Sequence, residues 1–207
     1  MTIKIDEASH GVMELALSKG HTVIFGYGSL LLQRSMELTL GRRYEQPRFP
    51  CALRGWRRSW NVYMPNRNFY ESGPDGEFVP RNIVYLNLSP AGGETVNGVL
   101  YVVDPAALAA LDRREWVYDR RSIARDLVGV TVGGSDASVY VGKPEWTLDL
   151  AATRRESAGL RQSYLGLIEE SLTTLGTDFR AAYERSTNPI PHNLVFDDRK
   201  REDDAPC

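Results

Sequence analysis

The chain has 207 residues, 42% of them hydrophobic and 25% charged, which suits one sizeable core in a single soluble domain. A formal net charge of −2 gives no general attraction to nucleic acid. No apolar run approaches membrane-spanning length and no signal-peptide pattern opens the chain, so a cytoplasmic protein without a membrane partner is expected.

Chain order then gives the following elements. Residues 6–19 carry the pattern of a short amphipathic helix: Asp6 suits an N-cap, Val12, Met13, Leu15 and Ala16 supply apolar positions, and Gly20 suits a stop. A strand is expected over 22–27, and a helix over 30–40 that ends at Gly41. Residues 42–95 are rich in aromatics, arginine, proline and glycine. Short strands are expected near 49–53, 57–64 and 82–88, with Gly73-Pro74-Asp75-Gly76 as a turn. Val99–Val103 reads as a strand, after which Asp104-Pro105 caps a helix over 106–114. Strands over 122–132 and 137–142 would be joined by a Gly133-Gly134 hairpin turn. A helix near 157–175 follows, with Leu160, Tyr164, Leu167, Ile168, Leu172 and Leu175 at helical spacing, and then a shorter one over 177–185. From Asn188 the prolines at 189 and 191 and the charged run Asp197–Asp204 read as an exposed, partly disordered arm. The arginines clustered at 54, 57 and 58, and at 113, 114, 120 and 121, read as solvated faces or local ion pairs.

The two cysteines, Cys51 and Cys207, offer no disulfide framework and no metal-ligand spacing, which fits a reducing compartment. His10, His21 and His192 are scattered, so neither a metal site nor a Ser/His/Asp triad follows from spacing. The richest signal is Val23-Ile24-Phe25-Gly26-Tyr27-Gly28-Ser29-Leu30-Leu31, a buried strand that breaks into a glycine turn at the mouth of a helix. Gly26 and Gly28 can adopt positive φ and let the backbone approach a ligand. Amides around Ser29, Leu30 and Leu31 would then lack partners and suit a carboxylate or a developing oxyanion. The spacing matches neither a P-loop nor a dinucleotide fingerprint, which disfavours nucleotide binding. Ser29 has no histidine partner in view, so it reads as a hydrogen-bonding residue and not a nucleophile. Glu115 falls where the 106–114 helix gives way to Trp116-Val117-Tyr118. A carboxylate there is either a surface residue or a partly desolvated acid with a raised pKa; Arg113 and Arg114 would oppose that shift only if they share its face.

Taken together, Phe25-Gly26-Tyr27-Gly28-Ser29-Leu30, Gly98-Val99-Leu100-Tyr101 and Leu111-Asp112-Arg113-Arg114-Glu115 resemble the γ-glutamylcyclotransferase superfamily, which includes the ChaC-type and AIG2-like branches. There a Tyr-Gly-Ser turn follows the first strand, and a Gly-Val-hydrophobic-Tyr strand leads through a helix to a catalytic glutamate. Tyr164 matches a late-helix tyrosine that contacts substrate. The likeness runs from about residue 22 to 175. Leu30 stands where classical members have asparagine, as in the glutathione-degrading ChaC-type branch, and the Arg114-Glu115 pair is similar to that branch too. The 42–95 segment is longer than in the smallest members, which leaves the leaving group open.

The resemblance implies an α+β fold, a small mixed, mainly antiparallel β-barrel with flanking helices, over residues 1–187. It implies a cofactor-free enzyme that closes 5-oxoproline from a γ-glutamyl amine, amino acid or peptide. Glu115 would be the general acid/base. Tyr27, Gly28, Ser29, Leu30, Tyr118 and Tyr164 would bind substrate, with plain aromatic packing left open for Tyr27 and Tyr118. The turn amides would hold either the oxyanion or the substrate's α-carboxylate. The expected partner is a small-molecule γ-glutamyl substrate, and a homodimer is compatible with it. Two other readings stay open: a small-molecule binding or interaction module on the same fold, and a biosynthetic γ-glutamyl amide-processing enzyme with a bulky leaving group.

Overall fold

In the computed structural model, which describes residues 4–8, 12–133 and 136–201, the strands in chain order are β1 (Lys4–Ala8), β2 (Val12–Ala16), β3 (Thr22–Gly26), β4 (Arg48–Pro65), β5 (Phe69–Gly73), β6 (Gly76–Phe78), β7 (Asn82–Val103), β8 (Tyr118–Ser122), β9 (Leu127–Val128), β10 (Val130–Gly133), β11 (Ala137–Gly142), β12 (Ala158–Arg161), β13 (Val195–Phe196) and β14 (Arg199–Lys200). The helices are α1 (Gln33–Leu40), α2 (Pro105–Arg114), α3 (Gln162–Leu175) and α4 (Thr177–Arg185). The architecture is a mixed α+β fold with a curled, mostly antiparallel sheet. Its main sheet runs β13-β12-β7-β3-β11-β8, with β4 laid antiparallel along β7. Two three-stranded sheets, β1-β2-β10 and β14-β5-β6, flank it.

The central strands are apolar without alternation because both faces are covered. Val23, Ile24 and Phe25 of β3 and Val99 to Val103 of β7 are all buried. They pair antiparallel, with Ile24 opposite Tyr101 and Gly26 opposite Val99. Gly98 makes that crossing possible: a Cβ there would lie 2.4 Å from Phe25 Cζ. Asp104 caps α2 as its sequence requires, its Oδ1 accepting from the Ala107 amide at 2.7 Å, with Pro105 at the first helical position. Gly41 ends α1 in the left-handed conformation, φ 65°.

Several expected elements take a different form. The 6–19 helix is replaced by β1 and β2, which pair antiparallel; residues 9–11 lie outside the described residues. Leu15 is buried where β2 pairs with β10, so sheet pairing overrides the local helical pattern. The strands expected near 49–53 and 57–64 are one strand, β4, and those near 82–88 and 99–103 are one strand, β7. Register shifts between Arg54 and Trp56 and between Ser59 and Val62 let the long ribbon bend. The hairpin of 122–132 with 137–142 does not form: β11 pairs with β8 and, in parallel, with β3, whereas β10 pairs with β2. Gly134, half of the expected turn, lies outside the described residues.

Residues 158–161, including Leu160, form β12 ahead of α3. The stretch from Asn188 to Arg201 is built into the fold and not an exposed arm. Leu194 and Phe196 are buried, and the Trp60 indole donates to the Asn188 carbonyl at 3.0 Å. Charge in the sequence there masked these apolar anchors; residues 202–204 of the charged run, and 205–207 after it, lie outside the described residues. Among the described residues, no helix is long and apolar enough to cross a membrane.

Candidate active site

β3 delivers its chain into a short 3-10 turn, Ser29–Leu31, that opens one wall of a pocket. The Leu31 amide is used inside the turn, donating to Gly28 O at 2.9 Å. Ser29 and Leu30 both line the pocket, and among the described residues their amides have no hydrogen-bond acceptor. The expectation of free amides therefore holds at two of its three positions. Gly26 and Gly28 do not adopt positive φ; Gly28 has φ −118°. Close approach is what requires glycine at 28, since a Cβ there would lie 2.9 Å from the Tyr164 hydroxyl oxygen.

Facing the turn is Glu115, the residue that closes α2. Its amide donates to Leu111 O at 2.8 Å, and its carbonyl accepts from the Tyr118 amide at 2.8 Å, so the backbone fixes where the carboxylate emerges. The side chain is only 12% exposed. Burial pushes its carboxyl above the ordinary carboxylate range, and the Arg114 guanidinium pulls it part of the way back. Arg114 does share the face of Glu115: its Nε lies 3.2 Å from Glu115 Oε1. The same guanidinium donates to Ser29 Oγ at 2.7 Å, Thr39 Oγ1 at 2.6 Å and Ser35 Oγ at 3.0 Å. One arginine thereby ties the acid, the glycine turn and α1 together. Ser29 is bound to it and not to a base.

Tyr27, Tyr118 and Tyr164 line the same pocket, together with Tyr140, Leu86, Phe25 and Gly26. Two of the three expected hydroxyls are already committed as donors: Tyr27 to Tyr140 O at 2.7 Å and Tyr118 to Leu86 O at 3.0 Å. Each keeps a lone pair to accept from a substrate. The Tyr164 oxygen is approached by the Leu86 backbone amide, and its ring packs edge-on against Tyr85 with centroids 5.2 Å apart. Leu86 can serve both tyrosines because the register shift between Ser59 and Val62 falls opposite it. Burial first raises the Tyr27 and Tyr118 hydroxyls far above their usual range, with the Glu115 carboxylate next at Tyr27, and Tyr27 and then Glu115 next at Tyr118. Burial leads the same upward shift at Tyr164. These hydroxyls stay neutral, and Glu115 is the one carboxylate among the pocket's described lining residues. Among the described residues, no group of His, Cys, Asp and Glu is placed to hold a metal ion.

The structure thus gathers every residue expected at the site, Tyr27, Gly28, Ser29, Leu30, Glu115, Tyr118 and Tyr164, around one pocket. Sequence reasoning missed Leu86, Tyr140 and the wiring of Arg114. Only Arg114 had a signal, its adjacency to Glu115. It also missed Asp198, whose side chain is 4% exposed and which caps α3 from the far end of the chain. Its Oδ1 accepts from the Ser163 amide at 2.7 Å and its Oδ2 from the Ser163 hydroxyl at 2.6 Å. Asp198→Ala is expected to lower stability by about 2 kcal/mol in denaturant unfolding, the upper end for a lost cap. A loss below about 0.5 kcal/mol would show that the cap contributes nothing.

Fold and pocket define a class: a small α+β protein in which a desolvated carboxylate faces a strand-to-turn segment with two open amides. A family model described as gamma-glutamyl cyclotransferase, AIG2-like, matches residues 24–159, and the chain belongs to that family. No curated protein sequence matches it. Among solved structures, it is similar to a protein titled gamma-glutamyl cyclotransferase, at 16% identity and TM-score 0.54, covering 80% of this chain and 85% of that one. An uncharacterised human protein aligns at 15% identity and TM-score 0.57, covering 89% and 94%. A yeast gamma-glutamyl cyclotransferase described as specific to glutathione aligns at 15% identity and TM-score 0.51, covering 80% and 95%. At these identities the structures speak for the fold.

Proposed function

We propose that this protein is a cofactor-free γ-glutamylcyclotransferase that releases 5-oxoproline from a γ-glutamyl substrate. The observation that carries this reading is the meeting of Glu115 with the open Ser29 and Leu30 amides in one pocket. Family membership supports it, and the yeast structural relative is described as specific to glutathione.

In this mechanism the glutamyl unit folds so that its α-nitrogen approaches its own γ-carbonyl carbon. A shaped pocket contributes largely through that proximity. A free α-amino group has a pKa near 8, so much of it is protonated at neutral pH and cannot attack. Glu115 takes a proton from the ammonium, the nitrogen forms the ring bond, and the γ-carbonyl oxygen gains negative charge. The Ser29 and Leu30 amides stabilise either that oxygen or the substrate's α-carboxylate. The C–N bond to the leaving amine then breaks as Glu115 returns that proton to the departing nitrogen. Glu115 next takes the second proton from the ring nitrogen and passes it to the amine, which leaves as an ammonium. Four N–H protons enter, three on the ammonium and one on the amide. Four leave, one on the lactam and three on the released ammonium, and no water is consumed.

The experiment is incubation of purified protein with glutathione, γ-glutamyl dipeptides and γ-glutamyl-ε-lysine while 5-oxoproline is quantified. Release from at least one of them is expected. If calorimetry shows γ-glutamyl ligand binding with no 5-oxoproline over long incubation, the fold serves here as a binding module and the proposal fails.

A further inference from the structure

The Glu115 carboxylate has a single polar neighbour. Among the described residues it accepts no hydrogen bond, and its ion partner is Arg114, with Nε 3.2 Å from Oε1. Three hydroxyls of the pocket are given elsewhere: Tyr27 donates to Tyr140 O at 2.7 Å, Tyr118 to Leu86 O at 3.0 Å and Tyr140 to Asp112 Oδ1 at 2.7 Å. A carboxylate this far from water therefore depends on one guanidinium for both its direction and its counter-charge.

Arg114 is itself fixed from the opposite side. Nη1 donates to Ser35 O at 3.1 Å and Thr39 Oγ1 at 2.6 Å, and Nη2 donates to Ser29 Oγ at 2.7 Å and Ser35 Oγ at 3.0 Å. Each of these nitrogens carries two N–H groups, so all four are in use and the Nε edge of the planar fork is left for Glu115. Turning the guanidinium away from the acid would break contacts to α1 and to the glycine turn together. Ser35 and Thr39, the anchors on α1, do not line the pocket.

The groups facing Glu115 come from five other elements: Tyr27 at the end of β3, Tyr85 on β7, Tyr118 on β8, Tyr140 on β11 and Tyr164 on α3. Burial raises every one of these hydroxyls above its usual range, so all five stay neutral. Among the described residues, Arg114 is then the one charged group that acts on Glu115.

Resting on the function proposed above, we propose that Arg114 is the positioning residue of this site: anchored on α1 and the glycine turn, it aligns the Glu115 carboxylate with the substrate nitrogen and supplies its counter-charge. The two contributions are separable. The anchored fork sets direction, and the positive charge favours the ionised form that can take a proton.

The test is the pH profile of 5-oxoproline release by Arg114→Met and Arg114→Lys, using the best substrate of the panel above. In Arg114→Met, kcat should fall by about 10²-fold, the scale of a misplaced reacting group, and KM should change less. Its acid limb in kcat/KM, which reports the free enzyme, should move to higher pH because the neighbouring cation is gone. Arg114→Lys should bring the acid limb back toward its wild-type position but leave kcat low, since an ammonium lacks the fork. A side chain that only held the fold together would lower the rate by one factor at every pH. Should Arg114→Met fail to fold, Ser35→Ala/Thr39→Val removes two anchors from outside the pocket, and kcat about tenfold down at an unmoved acid limb is expected. An acid limb unmoved in Arg114→Met, or wild-type kcat in Arg114→Lys or in the anchor variant, overturns the assignment and leaves the cyclotransferase reading standing. A readout without turnover is the carboxyl ¹³C titration of Glu115, assigned by its loss in Glu115→Gln. Its midpoint should rise in Arg114→Met and stay near wild type in Arg114→Lys; equal midpoints in all three proteins overturn the counter-charge role. If the wild type releases no 5-oxoproline from the whole panel, the cyclotransferase reading fails and Arg114's part in it falls too, while the titration still decides the pairing.

Discussion

Glu115→Gln should reduce 5-oxoproline release by about 10²–10⁴-fold, the range a positioned general acid/base contributes. Glutamine keeps the shape and leaves Arg114 its contacts to Ser29, Ser35 and Thr39. What disappears is the group to which the proposed mechanism gives the ammonium proton. Stability should not fall with activity. The folded-state pKa of Glu115 is raised, so the buried carboxyl costs nothing below its unfolded pKa near 4.3. The penalty grows as pH rises from there through the folded pKa and is fully present above it. At neutral pH the variant should therefore unfold at the same denaturant concentration as the wild type or a higher one. The wild-type acid limb of kcat/KM should lie above the ordinary carboxylate range, where Glu115 loses its proton. Wild-type rates in the variant would remove Glu115 from the mechanism.

Arg58→Met should destabilise the protein by roughly 3–5 kcal/mol, the range for disrupting a buried charge network. Arg58 is 0% exposed, and among the described residues it has no carboxylate partner. Its charge is instead spread over neutral acceptors. Nη1 donates to Tyr183 O at 3.0 Å, Ser186 Oγ at 2.9 Å and Thr187 Oγ1 at 2.8 Å, and Nη2 donates to Asn97 O and to Asn97 Oδ1. The guanidinium also sits 3.8 Å over the Tyr183 ring. Burial lowers its pKa to about 10, which still leaves it charged at neutral pH. Methionine fills the volume and strips donors from several buried acceptors, each costing about 1–3 kcal/mol if left unsatisfied. Lysine should restore less than half of the loss, because one ammonium cannot span both sides of the fork. Denaturant unfolding reads this directly, and a change below about 1 kcal/mol would show that the neighbours re-pair without it. Activity should fall with stability, since the Tyr183 hydroxyl reaches the Tyr27 carbonyl at 3.4 Å behind the pocket.

The arginine run 54–58 shows how far local reading goes. As a string it reads as a solvated face, yet a register shift in β4 sits just ahead of Trp56, and Arg58 points inward. A shift of one residue in a strand exchanges the buried and exposed faces, and nothing in a single sequence marks where it falls. The 6–19 segment failed for a related reason. Its apolar residues satisfy helical spacing, but β10 offers a strand edge for β2 to pair with, and pairing decided the outcome. Leu86 and Tyr140 joined the pocket unannounced, because their contribution depends on which strand lies beside which.

By itself the sequence determined the local chemistry. Asp104-Pro105 starts α2, Gly41 ends α1, Val23–Gly26 forms a buried strand, and a glycine turn leads out of it. These follow from φ preferences, capping geometry and apolar runs, which act within a few residues. Only the tertiary structure decided that Glu115 faces that turn, that Arg114 binds both, and that Asp198 reaches back to cap α3. Those meetings join residues dozens of positions apart, and they are set by sheet order and strand register, which the whole core fixes at once.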